Sequence, residues 1–364
     1  MTNSPEADDS ATTITVLGTA QRAAWARRVI PPVERLAGGL WSVPVPIPDN
    51  PLRYTLSYLV PGDHGLVVVD PGWETEEGWQ ALTAGLAAAG AAVGDVVGVV
   101  ATHVHPDHHG LSRRLRAESG AWVAMHPAER DNLPQRIAQE PGMARLERVS
   151  RRMRSDGAPD EAIEELLAQL GESAPGLNDM AEPDVLLEDG DSVPLPGRRL
   201  HAIWTPGHTP GHLCLREPDA QLLLTGDHVL PRVTPNIGLH PERGDKPLRR
   251  FLESLDAVAA YDDHEAFPAH EYRFAGLAAR VRQLHAHHAQ RNAELLAVVD
   301  ALGRPTVWEL AERMSWARPW AEIGRMRIAA LAETAAHADY LVDEGELIWE
   351  RKEPDAVARL RRPA

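Results

Sequence analysis

The chain has 364 residues, of which 43% are hydrophobic and 25% are charged, and its net charge at pH 7 is −16. This composition is typical of a globular protein with one large domain and a smaller one, and the acidic balance disfavours extended contacts with nucleic acid, because phosphate binding requires a basic surface. The single cysteine, Cys214, excludes an intrachain disulfide and a cysteine-rich zinc site.

The first part of the chain is polar, and we expect residues 1–30 to form a partly disordered lead-in. It lacks the basic start and apolar core of a secretory signal. No run of about 18 apolar residues is present that could span a membrane. We therefore expect a cytoplasmic protein that has no membrane partner.

Residues 31–285 have the pattern of an α/β domain. Five apolar runs bounded by Gly, Pro or Asp predict buried strands, and helical stretches such as residues 76–90 separate them. Residues 127–183 are rich in Arg, Glu, Met and Leu and contain no strand-like run, which predicts two or three helices inserted beside a site. The strand-like runs are "GLVVVDPG" (65–72), "DVVGVVATH" (95–103), "RLHAIWTPGH" (199–208), "QLLLTGDH" (221–228) and "EAFPAH" (265–270).

Residues 286–364 predict three helices followed by a hairpin, a pattern that fits a winged-helix-like domain. Thr306 is a plausible cap for the second helix. The third helix, residues 322–338, would be the one that reads DNA, but its charges balance, whereas DNA-reading helices present a basic face. A DNA-binding regulator with a vestigial site is therefore disfavoured, and no DNA partner is expected. The balancing charges are Glu322, Arg325, Arg327 and Glu333.

Metal-binding residue types gather at the carboxyl ends of the predicted strands, where open α/β sheets bind ligands. The stretch "THVHPDHHG" contains the pattern H-x-H-x-D-H, and imidazoles with a carboxylate suit zinc and similar metals. Seven candidate ligands are enough for two sites that share Asp227. The candidates are His103, His105, Asp107, His108, His208, Asp227 and His270.

Five motifs in chain order, "VVDPG", "THVHPDHHG", "TPGHTPGH", "LLLTGDH" and "PAH", resemble those of the metallo-β-lactamase fold superfamily. The resemblance implies a four-layer αββα sandwich, carrying the helical insertion 127–183 and the winged-helix-like C-terminal domain. It also implies two bound metal ions. We expect zinc, although the same ligand types also hold iron or manganese.

The resemblance assigns a role to each candidate. His103, His105 and His208 would bind the first ion, and Asp107, His108 and His270 the second, with Asp227 bridging the two. Asp70 matches the first motif of the family, and it would support the His-rich loop without binding metal. We expect His212 to support His208 in the same way.

Two positions narrow the branch of the family. His105 stands where di-iron flavoprotein relatives carry glutamate, which disfavours redox chemistry. Asp227 stands where secreted antibiotic-degrading enzymes typically carry cysteine, which disfavours lactam hydrolysis. The sequence is most similar to the glyoxalase II-like and β-lactamase-like protein 2 branches, and the latter also carry a C-terminal winged-helix module.

Two functions remain open. The first is a hydrolase in which a metal-bridging hydroxide attacks an ester-like bond, with a thioester preferred, as in a glyoxalase II-like enzyme or an acyl thioesterase. Asp107 would be catalytic, since it would both bind metal and orient the hydroxide. The alternative is a metal-dependent endoribonuclease that acts on single-stranded RNA. A homo-oligomer stays open in both cases.

The insertion contains an arginine stripe that could hold a substrate. Arg145, Arg148 and Arg152 are spaced i, i+3 and i+7, so they lie on one face of a helix. They form either a solvated face balanced by Glu147 or a grip for a phosphate-bearing carrier such as coenzyme A, since arginine binds phosphate through two hydrogen bonds. His240, in a Gly- and Pro-rich loop, is a further candidate for lining the pocket.

If the stripe holds the carrier, replacing Arg148 and Arg152 with Glu should raise KM for a coenzyme A thioester about tenfold or more, because contacts remote from the reacting bond are lost. Turnover of a small uncharged ester should hardly change. Steady-state kinetics with both substrates would test this. An equal change in the kinetics of both substrates would contradict the binding of the carrier by these arginines.

Overall fold

A computed structural model describes residues 13–133, 142–171, 180–238, 245–350 and 356–364. Short 3-10 turns lie at Ala37–Gly39, Val93–Asp95, Trp320–Glu322 and Gly324–Met326. The strands are β1 (Thr15–Val16), β2 (Glu34–Arg35), β3 (Trp41–Pro46), β4 (Tyr54–Gly62), β5 (Gly65–Val69), β6 (Val96–Val100), β7 (Trp122–Met125), β8 (Val185–Leu186), β9 (His201–Trp204), β10 (Leu213–Glu217), β11 (Leu222–Gly226), β12 (Glu265–Pro268), β13 (Phe274–Ala275), β14 (Ile348–Glu350) and β15 (Arg359–Arg361). The helices are α1 (Thr19–Arg27), α2 (Glu76–Ala88), α3 (Pro106–His109), α4 (Ser112–Ser119), α5 (Pro127–Asp131), α6 (Gly142–Ser155), α7 (Asp160–Gly171), α8 (Pro247–Ala259), α9 (Leu277–Leu302), α10 (Val307–Arg313) and α11 (Arg327–Asp343).

The strands form two large sheets and one small one. The seven-stranded sheet has the order β2-β3-β4-β5-β6-β7-β8, and its last four strands are parallel. The six-stranded sheet has the order β1-β13-β12-β11-β10-β9, and within it β11 and β12 are parallel neighbours. The hairpin β14–β15 forms the third sheet. None of the described helices combines the length and the apolar character needed to cross a bilayer.

The two large sheets pack face to face and carry helices on their outer faces. Leu56 and Val67 of the first sheet share one apolar core with Leu215, Leu224 and Phe267 of the second. The outer face of the first sheet is covered by α2 and α4, and that of the second by α8 and α9. This arrangement confirms the predicted four-layer αββα sandwich. The covering side chains are Trp79, Leu82, Leu86 and Leu115 on one face, and Phe251, Leu255, Leu277 and Leu284 on the other.

The start of the described chain differs from the predicted lead-in. β1 pairs with β13 at the edge of the six-stranded sheet. In α1, the ring of Trp25 lies 5.9 Å from that of Tyr54, and Gln21 is fully buried and donates to Ser42. Residues 13–30 are thus part of the sandwich. Their pattern gave no helical signal because α1 buries a glutamine and an alanine and not an apolar stripe.

The C-terminal region contains the three helices and the hairpin that the sequence predicts. Thr306 caps α10 in a capping box, accepting from Glu309 N while Glu309 accepts from Thr306 N. The proposed domain boundary between residues 285 and 286 falls inside α9, a continuous helix that both regions share. The winged-helix assignment stays a prediction.

The helical insertion packs on the C-terminal region. Met153 of α6 and Leu166 of α7 lie in one apolar cluster with Trp308 of α10 and Leu331 of α11. Trp316 and Trp320 pack against the same cluster. The apolar face of the insertion is therefore covered by the C-terminal helices, and the tryptophans that would be exposed in an isolated module are partly or fully covered.

Candidate metal centre

The topology brings the seven candidate ligands to one edge of the sandwich. β5 and β6 are parallel neighbours, so Asp70 and the loop that begins at Thr102 follow them at the same edge. β11 and β12 are likewise parallel, which places Asp227 beside His270. Because β9 and β11 are both antiparallel to β10, the loop that carries His208 emerges at that edge too.

Local geometry aims these side chains inward. His105 precedes the one-turn helix α3, whose first residue is Pro106, and this turn carries Asp107 and His108. Gly226, at the end of β11, has a φ of 49°, and a Cβ there would lie 2.6 Å from His212 Nε2. A residue with a side chain would therefore push His212 away from the backbone of Asp227.

Three histidines form the first half of the centre. His105 Nδ1 lies 2.9 Å from His103 Nε2 and 3.1 Å from His208 Nε2. One oxygen of Asp227, Oδ2, lies 3.6 Å from His208 Nε2. Ligand atoms that share one zinc ion stand roughly 3–3.5 Å apart, since each is about 2 Å from the ion.

The other oxygen of Asp227 belongs to the second half. Asp227 Oδ1 lies 3.2 Å from His270 Nε2 and 3.6 Å from His108 Nε2. Asp107 Oδ2 lies 3.4 Å and 3.6 Å from the same two nitrogens. Asp227 thus faces both halves, one oxygen towards each.

The hydrogen bonds behind the rings orient the opposite ring nitrogens towards the centre. His108 Nδ1 donates to Asp70, His208 Nδ1 to the carbonyl of Asn236 and His270 Nδ1 to the carbonyl of Tyr54, all at 2.8–2.9 Å. The hydroxyl of Thr102 donates to Asp70, so its oxygen can accept from His103 Nδ1. In a neutral ring the opposite nitrogen is then an acceptor, and several lone pairs converge.

Charge favours cations at this point. Burial lowers the pKa of His103 well below its usual value and that of His105 to about 3, so both rings are neutral. The pKa of His270 is raised to about 10. Burial alone would lower it, but the effect of the nearby carboxylates of Asp227 and Asp107 is larger. The carboxylates therefore attract positive charge, which a metal ion supplies more effectively than a proton.

The buried atoms fit a pair of metal ions. Within the part of the chain that the structure describes, His108 Nε2, His270 Nε2 and Asp227 Oδ1 are buried without a well-formed hydrogen bond. Buried polar atoms are rarely left in this state. Nitrogen and carboxylate donors in groups of three or four are the set that zinc, iron or manganese requires.

Two further predicted residues lie directly behind the ligands. Asp70 accepts from Thr102 N, from the Thr102 hydroxyl and from His108 Nδ1, each at 2.8 Å. Its backbone has a φ of 53°, a strained value for a residue with a side chain. His212 accepts from Asp227 N at 3.1 Å and contacts the Thr205 hydroxyl, so it supports the backbone of Asp227 and not the ring of His208.

The structure describes only part of the remaining candidates. His109, which follows the candidate ligand His108, is buried and contacts Ala181 O and Ser112. Arg152 lies on α6, half-buried. The side chains of Arg145 and Arg148 and the whole of His240 lie outside the described residues, so their substrate role stays a prediction.

Sequence reasoning missed Glu129, which joins two ligand loops. Its fully buried carboxylate accepts from Val104 N and from Gly211 N, both at 2.7 Å. Burial raises its pKa to about 6. A Cβ on Gly211 would lie 2.7 Å from Glu129 N, so a glycine is required for this approach. A glutamate in the early part of an insertion gives no local signal of such a role.

Comparisons with known proteins show which proteins this chain resembles. The sequence model of the family described as "Metallo-beta-lactamase superfamily" matches residues 50–270. A metallo-beta-lactamase family protein from Thermus thermophilus is 33% identical, with a TM-score of 0.72, over 89% of this chain and 99% of that one. A beta-lactamase domain protein from Burkholderia ambifaria is similar in fold, with 24% identity and a TM-score of 0.75 over 96% of this chain and 98% of that one.

Curated relatives show the same likeness. The probable metallo-hydrolase YqjP of Bacillus subtilis is 26% identical over 302 residues, which are 80% of this chain and 90% of that protein. The chain spans only 32% and 60% of the length of two lactamase-like proteins, nscB of Neosartorya fischeri and adaB of Aspergillus niger.

Replacing Glu129 with Gln should lower the free energy of unfolding by about 1–3 kcal/mol, because one of the two buried N–H donors would lose its acceptor. Urea denaturation would measure this. Glu118→Gln is the matched control, since Glu118 is exposed and makes only a surface ion pair with Arg114. Equal stability of the two variants would contradict the role of Glu129 in joining the two ligand loops.

Proposed function

The chain belongs to the metallo-beta-lactamase superfamily, and we propose that it is a dinuclear metal-dependent hydrolase that cleaves an ester-like bond, with thioesters preferred. The observation that carries the proposal is the convergence of seven side chains, of which His108, His270 and Asp227 have inward atoms that are buried without a hydrogen-bond partner among the described residues. Two cations would give these buried atoms the partners that they lack.

We assign His103, His105 and His208 to one ion and Asp107, His108 and His270 to the other, with Asp227 binding both. The mixed nitrogen and oxygen set favours zinc, and iron and manganese take the same ligands. When bound, such ions acidify water and polarise the bond to be cleaved.

The residues of the chain have distinct tasks in this reaction. His108 and His270 are fully buried, whereas Asp107, Asp227 and His105 retain contact with solvent. Substrate therefore approaches over Asp107 and Asp227. A carboxylate oxygen of Asp107 would accept a hydrogen bond from the attacking water and so orient it, and the sheets exclude bulk water from the opposite side.

A small ester-like substrate suits the structure better than a nucleic acid. A helix that reads nucleic acid needs a free basic face, but α11 is covered on most of its surface. Arg327, at its start, is paired with Glu165 and with the carbonyls of Trp320 and Ala321. These contacts, together with the net charge of −16, favour the esterase over the ribonuclease. The buried residues of α11 are Ala330, Leu331, Ala332, Thr334, Ala335, Ala336, His337, Ala338 and Leu341.

Replacing Asp227 with Asn should reduce turnover at least about 100-fold and lower the zinc content below two ions per chain. The amide carries no charge to offset two close cations, and even groups that only contact a ligand affect metal affinity 10–100-fold. Zinc analysis and steady-state kinetics would measure both effects. Asp256→Asn is the matched control, because Asp256 is exposed and contacts only His285 on the surface.

The substrate class can be tested with the zinc-loaded wild-type protein. We expect acyl thioesters to be cleaved faster than lactones, phosphodiesters or single-stranded RNA, and removal of zinc by a chelator to abolish the activity. Faster cleavage of RNA than of thioesters would favour the endoribonuclease instead, and activity that survives complete removal of metal would contradict both.

A further inference from the structure

The loop residue Asn236 links helix α11 to His208 of the proposed metal centre. His208 Nδ1 donates to the backbone carbonyl of Asn236 at 2.9 Å. Asn236 lies in the loop that follows Asp227, outside any strand or helix. The position of this carbonyl therefore depends on what holds the loop.

The side chain of Asn236 ties the loop to α11. Its Nδ2 donates to Ala329 O at 3.3 Å and to Glu333 Oε2 at 3.1 Å. Both partners are acceptors, so the amide nitrogen and not the oxygen faces the helix. Ala329 and Glu333 are four residues apart, on one face of α11.

The next two residues of the loop strengthen this attachment. Ile237 is fully buried and shares an apolar cluster with Ala336 of α11. Gly238 has a φ of 122°, and a Cβ there would lie 2.4 Å from Ala332 O. The backbone of the loop thus touches the helix at a distance that only glycine permits.

Glu333 is itself held from the other side. Arg291 of α9 lies with its Nε 3.8 Å from Glu333 Oε1, and both side chains are largely buried. Arg291 also donates to Ser315 O, and its guanidinium stacks over Trp316 at 4.5 Å. The carboxylate that receives Asn236 is therefore fixed by the packing of the whole C-terminal region.

The loop has a separate anchor nearer to Asp227. Glu271 accepts from Arg232 N and Val233 N, each at 3.0 Å, and Arg280 donates to the carbonyl of Leu230 at 2.6 Å. These contacts hold residues 230–233 within the sandwich. Residues 236–238 lie beyond them and depend on α11, so the two halves of the loop are held by different parts of the chain.

We infer that Asn236 and Glu333 are positioning residues through which the C-terminal region fixes the ring of His208 for metal binding. The inference rests on the proposed metal centre. The carbonyl that His208 contacts sets both the tautomer and the tilt of its ring, and such outer contacts affect metal affinity about 10–100-fold.

The test is zinc affinity, measured by competition with a chelator, in the full-length chain. Asn236→Ala and Glu333→Gln should each raise the dissociation constant of one of the two ions about tenfold and leave the other nearly unchanged. The double variant should bind zinc about as tightly as Asn236→Ala alone, because Asn236→Ala already removes the contact with Glu333. Glu333→Asp keeps the negative charge on a shorter side chain and should show a smaller loss of zinc affinity.

Asp339→Asn is the matched control on the same helix, since Asp339 accepts from Trp349 of the hairpin. It should leave both zinc affinities unchanged. Thermal unfolding of the zinc-free proteins reports folding separately from metal binding. Unchanged zinc affinity in Asn236→Ala and Glu333→Gln, with two ions bound by the wild type, would overturn the inference alone. A wild type that binds no zinc would overturn the metal centre and the inference with it.

Discussion

The hydrogen bonds behind the histidine rings decide whether a metal centre can exist at this edge. An imidazole that donates from Nδ1 keeps an acceptor at Nε2, and a ring without such a partner could turn or change tautomer. The partners come from different parts of the chain: Thr102 follows β6, Asp70 follows β5, Asn236 lies in a loop, and Tyr54 begins β4. The centre is therefore complete only when all of these elements are packed together.

The same edge is where the two sheets are joined most directly. Four hydrogen bonds link β4 of the first sheet to the segment around His270 in the second, and one of them is the bond from His270 Nδ1 to the carbonyl of Tyr54. Tyr54 donates from its hydroxyl to Glu271 O, Leu56 N donates to Ala269 O, and the Tyr58 hydroxyl donates to Pro268 O. Backbone groups that would otherwise need water are thus paired across the sandwich. His270, fully buried between these bonds, cannot leave its place without separating the sheets.

Local patterns in the sequence predict an α/β domain and the gathering of the candidate ligands, and the resemblance to the superfamily adds the four-layer arrangement. Four of the candidate ligands, His103, His105, Asp107 and His108, lie within six residues. The apolar residues of each strand-like run predict that the strand is buried. The features that the sequence does not predict depend on contacts between residues that are far apart in the chain. β3 carries Pro44 and Pro46, which argue against a strand. In the structure β2 pairs only with Trp41 and Ser42 of β3, so the prolines have no neighbour on that side. The side chains of Glu129 and Asn236 form hydrogen bonds with backbone groups, and the residue types in a sequence do not indicate such contacts.

The division of the chain into domains stays a prediction, and two observations bear on where a boundary could lie. The change of composition near residue 286 suggests a separate module, yet α9 continues through it without a break. The likeness to the Thermus thermophilus protein covers 89% of the chain, more than residues 1–285 could supply. The insertion and the C-terminal helices bury one another's apolar faces in a single cluster. Neither could leave that cluster without exposing tryptophan and leucine to water, so the insertion and the C-terminal helices stabilise one another.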